Sequence, residues 1–243
     1  MINDPSENPC WRRAVAAFDS AIGSSLSELA EVVARVLAEC RPVVLAVTGP
    51  SAGGKSTFVT EIGHRLGMYQ RSAEAINGDD YLRTDLRGER TYRIRSARPR
   101  PMKPSDLDFH ELAGTLSSLR LGDVVSRAGY LRGEGWVEHK RSYPADILIL
   151  DGLFLDSDIA ANALAYDLLI VVEPPWNVVA NRRRHRDSLL RSQRGNEYRG
   201  LQETEDVIER TRSAYVSYIR RRVGRYVVVK TDARNRISAI TLE

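Results

Sequence analysis

At 243 residues, with 42 % hydrophobic and 28 % charged residues, the chain can bury one α/β core of ordinary size, and its composition excludes wholesale disorder. No apolar run approaches the roughly 18 residues of a membrane span, and the polar opening MINDPSENPCW does not read as a signal peptide, so a soluble, cytoplasmic protein without a membrane partner is expected. The formal net charge of +4 gathers largely in residues 83 to 103 and 182 to 194, which suits a local anionic ligand better than a general nucleic-acid coat.

In chain order, residues 1 to 10 form a loose leader and a helix begins near Trp11. A second helix, with Leu26, Leu29, Val32, Val33, Val36 and Leu37 on one face, follows Ser25 as its cap. Residues 1–40 are thus expected to be an N-terminal helical extension packed on a core spanning 41–243. Cys10 and Cys40 are too few for a disulfide framework and lack metal-ligand spacing, so a reducing compartment is expected.

Val43 to Thr48 is an apolar strand running into Gly49-Pro50-Ser51-Ala52-Gly53-Gly54-Lys55-Ser56-Thr57, a G-x-x-x-x-G-K-S phosphate loop without a mismatch. Gly49, Gly53 and Gly54 let successive N–H groups turn inward around a polyphosphate, and the following helix aims its positive end at the same anion. Lys55 is placed to reach the β- and γ-phosphates, and the Ser56 hydroxyl to ligate magnesium. Phe58, Ile62 and Leu66 mark the helix, and a short strand near Ala73 to Ile76 completes a right-handed βαβ unit.

That strand ends in Asn77-Gly78-Asp79-Asp80-Tyr81, an acidic pair at the edge where open α/β sheets gather ligands. Either carboxylate could hold magnesium or take a proton from a hydroxyl. Leu82 to Lys103 is dense in arginine and poor in apolar residues, a long surface loop. A helix follows through Leu107, Leu112, Leu116 and Leu119, and residues 124 to 143 hold a hairpin near Gly133 to Gly135. Ala145 to Leu150 is a buried strand ending in Asp151-Gly152, a second acidic tip suited to magnesium. Leu168 to Val172 is another strand, followed by a helical stretch with Arg182, Arg183 and Arg186. Their spacing lets two guanidinium groups clamp one phosphoryl group, and the segment, about 177–200, reads as an arginine-rich lid. His185 in its midst is a surface residue. A helix from Gln202, a strand RYVVVKT and a short edge strand from Ile237 to Leu242 close the chain. The alternation predicts a three-layer P-loop NTPase fold, a mainly parallel sheet flanked by helices.

Taken together, the order of these pieces resembles the uridine kinase and phosphoribulokinase group of P-loop kinases over residues 43 to 232. GPSAGGKST resembles its G-x-S-G-S-G-K-[ST]-[ST] loop, Asp79-Asp80-Tyr81 its D-[SD]-[FY]-Y segment, Asp151-Gly152-Leu153-Phe154 its E-G-[IL]-[FL] strand end, and Arg182-Arg183-x-x-Arg186-Asp187 its R-R-x-x-R-D lid. The resemblance implies Asp79 as the base that deprotonates the acceptor, Lys55 on the transferring phosphate, Ser56 and Asp151 at magnesium, and Arg182, Arg183 and Arg186 in the lid. It also implies Asp80 and Tyr81 on the acceptor side. Met102-Lys103 stands where the family has Asp-His, and Leu82 replaces its second aromatic, so uridine itself is not implied as the acceptor.

The expected activity is magnesium- and ATP-dependent transfer of the γ-phosphoryl group to a hydroxyl of a small metabolite, with homo-oligomerisation left open. A regulatory NTPase or assembly factor with no small acceptor is the alternative. Nucleic-acid binding is not expected, because few aromatics interleave with the arginines.

Overall fold

Strings of β-branched and leucine residues dictate the centre of the molecule. The computed structural model describes residues 9–40, 43–83, 102–131, 135–194, 200–219, 226–234 and 236–242. Strands β1 (Val43–Thr48), β2 (Ala73–Asn77), β5 (Ile147–Asp151), β6 (Leu168–Glu173), β7 (Val227–Thr231) and β8 (Ile237–Leu242) form one six-stranded sheet in the order β2-β5-β1-β6-β7-β8. The first five pair in parallel, and β8 closes the edge antiparallel to β7. β1 is buried at every position, as a central parallel strand covered on both faces must be.

Alternation along the strands divides the interior into two cores. Val43, Leu45, Val47, Ile149, Ile170 and Val229 face α1 (Pro9–Phe18), α2 (Leu26–Ala38) and α3 (Lys55–Met68). Val44, Ala46, Leu148, Leu150, Val171 and Val228 face the other way, towards α4 (Phe109–Arg120) and α5 (Asp158–Ala163). This is the three-layer arrangement that the strand and helix alternation predicts.

Local chemistry sets the boundaries. Ser25 caps α2 in a reciprocal capping box with Glu28, and Asp108 caps α4 by accepting from the Glu111 N–H. Leu107, expected inside that helix, instead pairs with Leu82 in an antiparallel bridge. The hairpin expected within 124–143 is present as β3 (Val125–Leu131) and β4 (Gly135–Ser142), a separate two-stranded sheet. Helices α6 (Trp176–Arg194) and α7 (Leu201–Ile219) follow β6. Most of the arginine-rich loop, residues 84–101, and the end of the expected lid, residues 195–199, lie outside the described residues.

One sequence expectation is corrected here. Cys10 and Cys40 form a disulfide, joining the start of α1 to the residue pair after α2. Thirty residues apart, they meet because α1 packs against α2; helix packing, invisible in cysteine spacing, decides the pairing. Among the described residues no helix is long and apolar enough to cross a membrane.

Candidate active site

The phosphate loop leaves β1 at Gly49, whose φ of 138° goes with a very close approach to β6. A Cβ there would stand 2.3 Å from the Val172 carbonyl oxygen. Gly54, at φ 99°, enters α3 and leaves the helix's first N–H groups pointing to the loop mouth. Lys55 is 8 % exposed, and its ammonium donates to the Gly49 and Pro50 carbonyls at 3.0 Å each. Ser56 and Thr57 are exposed at the helix start, while Pro50 is buried and Ser51 and Ala52 are half-buried.

Strand register brings both acidic tips to this loop. Val47 of β1 pairs with Asp151 of β5, and Asp151 pairs with Asn77 of β2, so three adjacent strands end level. Beyond Asn77 the chain makes a 3-10 turn from Gly78 to Tyr81. The Asn77 side chain accepts from the Asp79 N–H at 3.0 Å, which fixes that turn. Gly78 lies so close to Gly152 that a Cβ on it would be 3.1 Å from the Gly152 Cα. Asp79 and Asp151 are both half-buried at this edge.

Asp80 and Tyr81, the next two residues of the turn, are both buried. Asp80 is 1 % exposed; its carboxylate accepts from Arg127 Nη2 at 3.1 Å, Lys140 Nζ at 2.6 Å and the Tyr130 N–H at 2.7 Å. Tyr81 is wholly buried, with the Arg127 guanidinium 3.6 Å from its ring centre. Burial raises its phenol above the ordinary value. Both side chains are therefore engaged by the hairpin and the core, while Asp79 beside them is half-buried. Sequence reading missed Arg127 and Lys140, since nothing in a polar hairpin marks which cations turn inward.

The arginines of α6 reach the loop from the opposite side. Arg182 Nη1 donates to the Gly53 carbonyl at 2.9 Å, and Arg183 Nη1 to Ser51 Oγ at 3.1 Å. Burial lowers the Arg182 guanidinium from its usual value; it stays charged at any physiological pH. Asp187, fully buried, lies 3.5 Å from Arg183 Nε and 3.6 Å from Arg186 Nε, and Thr204 Oγ1 donates to it at 3.4 Å. Arg186 thus shares its carboxylate with Arg183, whereas His185 is exposed.

Anionic phosphates fit this mouth, which combines a glycine-bearing loop, a helix start, one lysine and two arginines. Magnesium fits the donor set too. Ser56 and Asp151 offer a hydroxyl and a carboxylate, hard oxygen donors on neighbouring elements, and a magnesium ion completes its shell with phosphate and water oxygens. Accordingly, no cluster of three His, Cys, Asp or Glu is needed, and among the described residues there is none.

The chain is similar to several known proteins. A uridine kinase from Leuconostoc citreum (strain KM20) is 26 % identical over 167 residues, 66 % of this chain and 74 % of that one. A candidate fructose transport system kinase from Silicibacter sp. TM1040 superposes with a TM-score of 0.58 at 17 % identity, over 83 % of this chain and 97 % of its own. YFH7 from Saccharomyces cerevisiae, a candidate P-loop kinase with a circular permutation, gives 0.55 at 10 % identity over 85 % and 97 %. Those two structures share the fold. The model of the phosphoribulokinase / uridine kinase family matches residues 44–235, a span that holds the loop, both acidic tips and the arginines of α6, and the chain belongs to that family.

Proposed function

We propose that the protein is an ATP- and magnesium-dependent kinase that transfers the γ-phosphoryl group to a hydroxyl of a small metabolite. The observation that carries this reading is convergence: Arg182 and Arg183 touch the loop from one side while Asp79 and Asp151 end adjacent strands on the other.

In this reading residues 49–57 bind the triphosphate, with Lys55 on the transferring group. Arg182, Arg183 and Arg186 form a lid whose planar cations match charge spread over equatorial phosphate oxygens. Ser56 and Asp151 would hold magnesium, which would screen the phosphate charge. Asp79 accepts the proton of the acceptor hydroxyl. It is favoured over Asp80 because the Asp80 carboxylate is buried and both its oxygens are already engaged by two cations and an N–H. Held in line, the reactants gain most of their acceleration from proximity and from preorganised charge.

The test is turnover of ATP with magnesium against a panel of nucleosides, sugars and their carboxylated or phosphorylated relatives. A phosphorylated product is expected, and Asp79→Asn should cut its rate by about 10²–10⁴-fold while ATP still raises the melting temperature. Release of inorganic phosphate as the sole reaction would point to an NTPase instead.

A further inference from the structure

We propose that Asp80 is a positioning residue that latches the β3–β4 hairpin beside Asp79 and so builds the acceptor-side wall of the site. This rests on the reading that the acceptor lies against Asp79. Three observations carry it.

First, the hairpin is a two-stranded sheet apart from the main one, and such ribbons are marginal by themselves. Second, its own sequence works against its pairing. Arg127 and Lys140 stand directly opposite each other across the strands, and like charges so placed repel. Both cations end on one oxygen of Asp80, at 3.1 and 2.6 Å, so a single buried carboxylate turns a repulsion into a bridge. Third, the fit around that bridge is close. The other Asp80 oxygen takes the Tyr130 N–H, and the Asp80 carbonyl takes Arg127 Nη1 at 3.1 Å. At Gly129, next to the register shift in β3, a Cβ would lie 2.6 Å from Lys140 Cδ and 3.3 Å from Asp80 Oδ1.

Asp80 belongs to the same 3-10 turn as Asp79. Wherever the hairpin is latched, it is latched to the residue next to the proposed base. Without that carboxylate, two buried or half-buried cations face each other with no counter-charge, the costliest way to break a buried pair. The hairpin would then leave the turn, and an acceptor would lose one wall while the phosphate loop kept its nucleotide.

Hydrogen exchange on the intact 243-residue chain tests the latch without any acceptor. Asp80→Asn should speed exchange across 125–131 and 135–142 by tenfold or more and leave β1 and β5 as they are. Adding Lys140→Gln to Asp80→Asn removes the like-charge pair and should recover at least threefold of the lost protection. With uridine as the probe acceptor, Asp80→Asn should raise KM tenfold or more, lower kcat by less than that, and leave the KM for ATP within twofold. Hairpin protection equal to the parent's, no recovery in the double variant, or a collapse of kcat at unchanged KM would overturn the proposal. If the parent protein transfers nothing to uridine, exchange alone decides the latch, and the metabolite panel decides separately whether the protein is a kinase.

Discussion

Two positions in the phosphate loop depart from the pattern it resembles. Ala52 stands where that pattern has glycine, and adopts a φ of 69°, a left-handed conformation that costs a residue with a Cβ about 1–2 kcal/mol. Gly53 stands where the pattern has serine, and here a Cβ would meet the Pro50 carbonyl oxygen at 2.8 Å and its ring at 3.2 Å. The proline thus accounts for the second glycine. Nothing in the structure accounts for the alanine. Ala52→Gly should therefore stabilise the protein by about 0.5–1 kcal/mol once the greater freedom of glycine in the unfolded chain is set against the relieved strain. Gly49→Ala, aimed at the Val172 backbone, should cost about 3 kcal/mol or more. Urea unfolding of the two variants beside the parent protein checks both signs.

Between elements, the arginines of α6 depend on a partner that the helix itself only half supplies. Asp187 is fully buried with Arg183 and Arg186 beside it, and its third contact comes from Thr204 of α7. Asp187→Ala should cost about 2–3 kcal/mol by stranding partly buried cations, and should slow phosphoryl transfer about tenfold or more as Arg183 drifts from Ser51. The Arg184–Glu205 pair also joins α6 to α7, with hydrogen bonds of 2.6 and 2.7 Å. Both its side chains are about half exposed, so Arg184→Gln should leave the unfolding midpoint nearly unchanged. Chemical unfolding and steady-state rates separate the two cases.

The same contrast explains what could be read from the chain alone. Strands such as Ile147–Asp151 and Leu168–Glu173 announce themselves by apolar runs that end in an acid, and the loop by its glycines, because those patterns are local. The roles of two adjacent aspartates are not local. Asp79 and Asp80 look alike in sequence, and the distinction is made by Asn77 holding one backbone N–H and by two cations about fifty and sixty residues away in β3 and β4. Likewise the spacing of Arg182, Arg183 and Arg186 is legible, whereas Thr204 as the donor to Asp187 is a product of how α6 and α7 pack.

For the whole molecule, buried phenols set a limit at alkaline pH. Burial raises both Tyr81 and Tyr166, and Tyr166 also feels the negative charge of Asp156. An unfolded tyrosine ionises near pH 10, so above that value the unfolded chain releases protons that the folded one keeps. Stability from these groups is fully present below about pH 10 and falls as pH rises further. Urea midpoints measured from pH 8 to 11 should decline at the top of the range, and Tyr166→Phe should flatten the decline.

The disulfide acts at the same scale. A bridge over thirty residues restricts the unfolded chain by about 3–4 kcal/mol in the chain-entropy estimate, so a thiol reductant should lower the melting temperature of the parent protein and leave Cys10→Ser unaffected.

The turn before α2 is hydrogen-bonded to the start of the last strand. The Gly23 N–H donates to the Ile237 carbonyl at 2.9 Å, the Ile237 N–H to the Ser24 carbonyl at 2.7 Å, and Ser25 bridges Arg236. The turn that starts α2 and the turn that starts β8 are consequently one joint. Cutting the chain back past β8 would therefore strip the entry to α2 of its backbone partners as well.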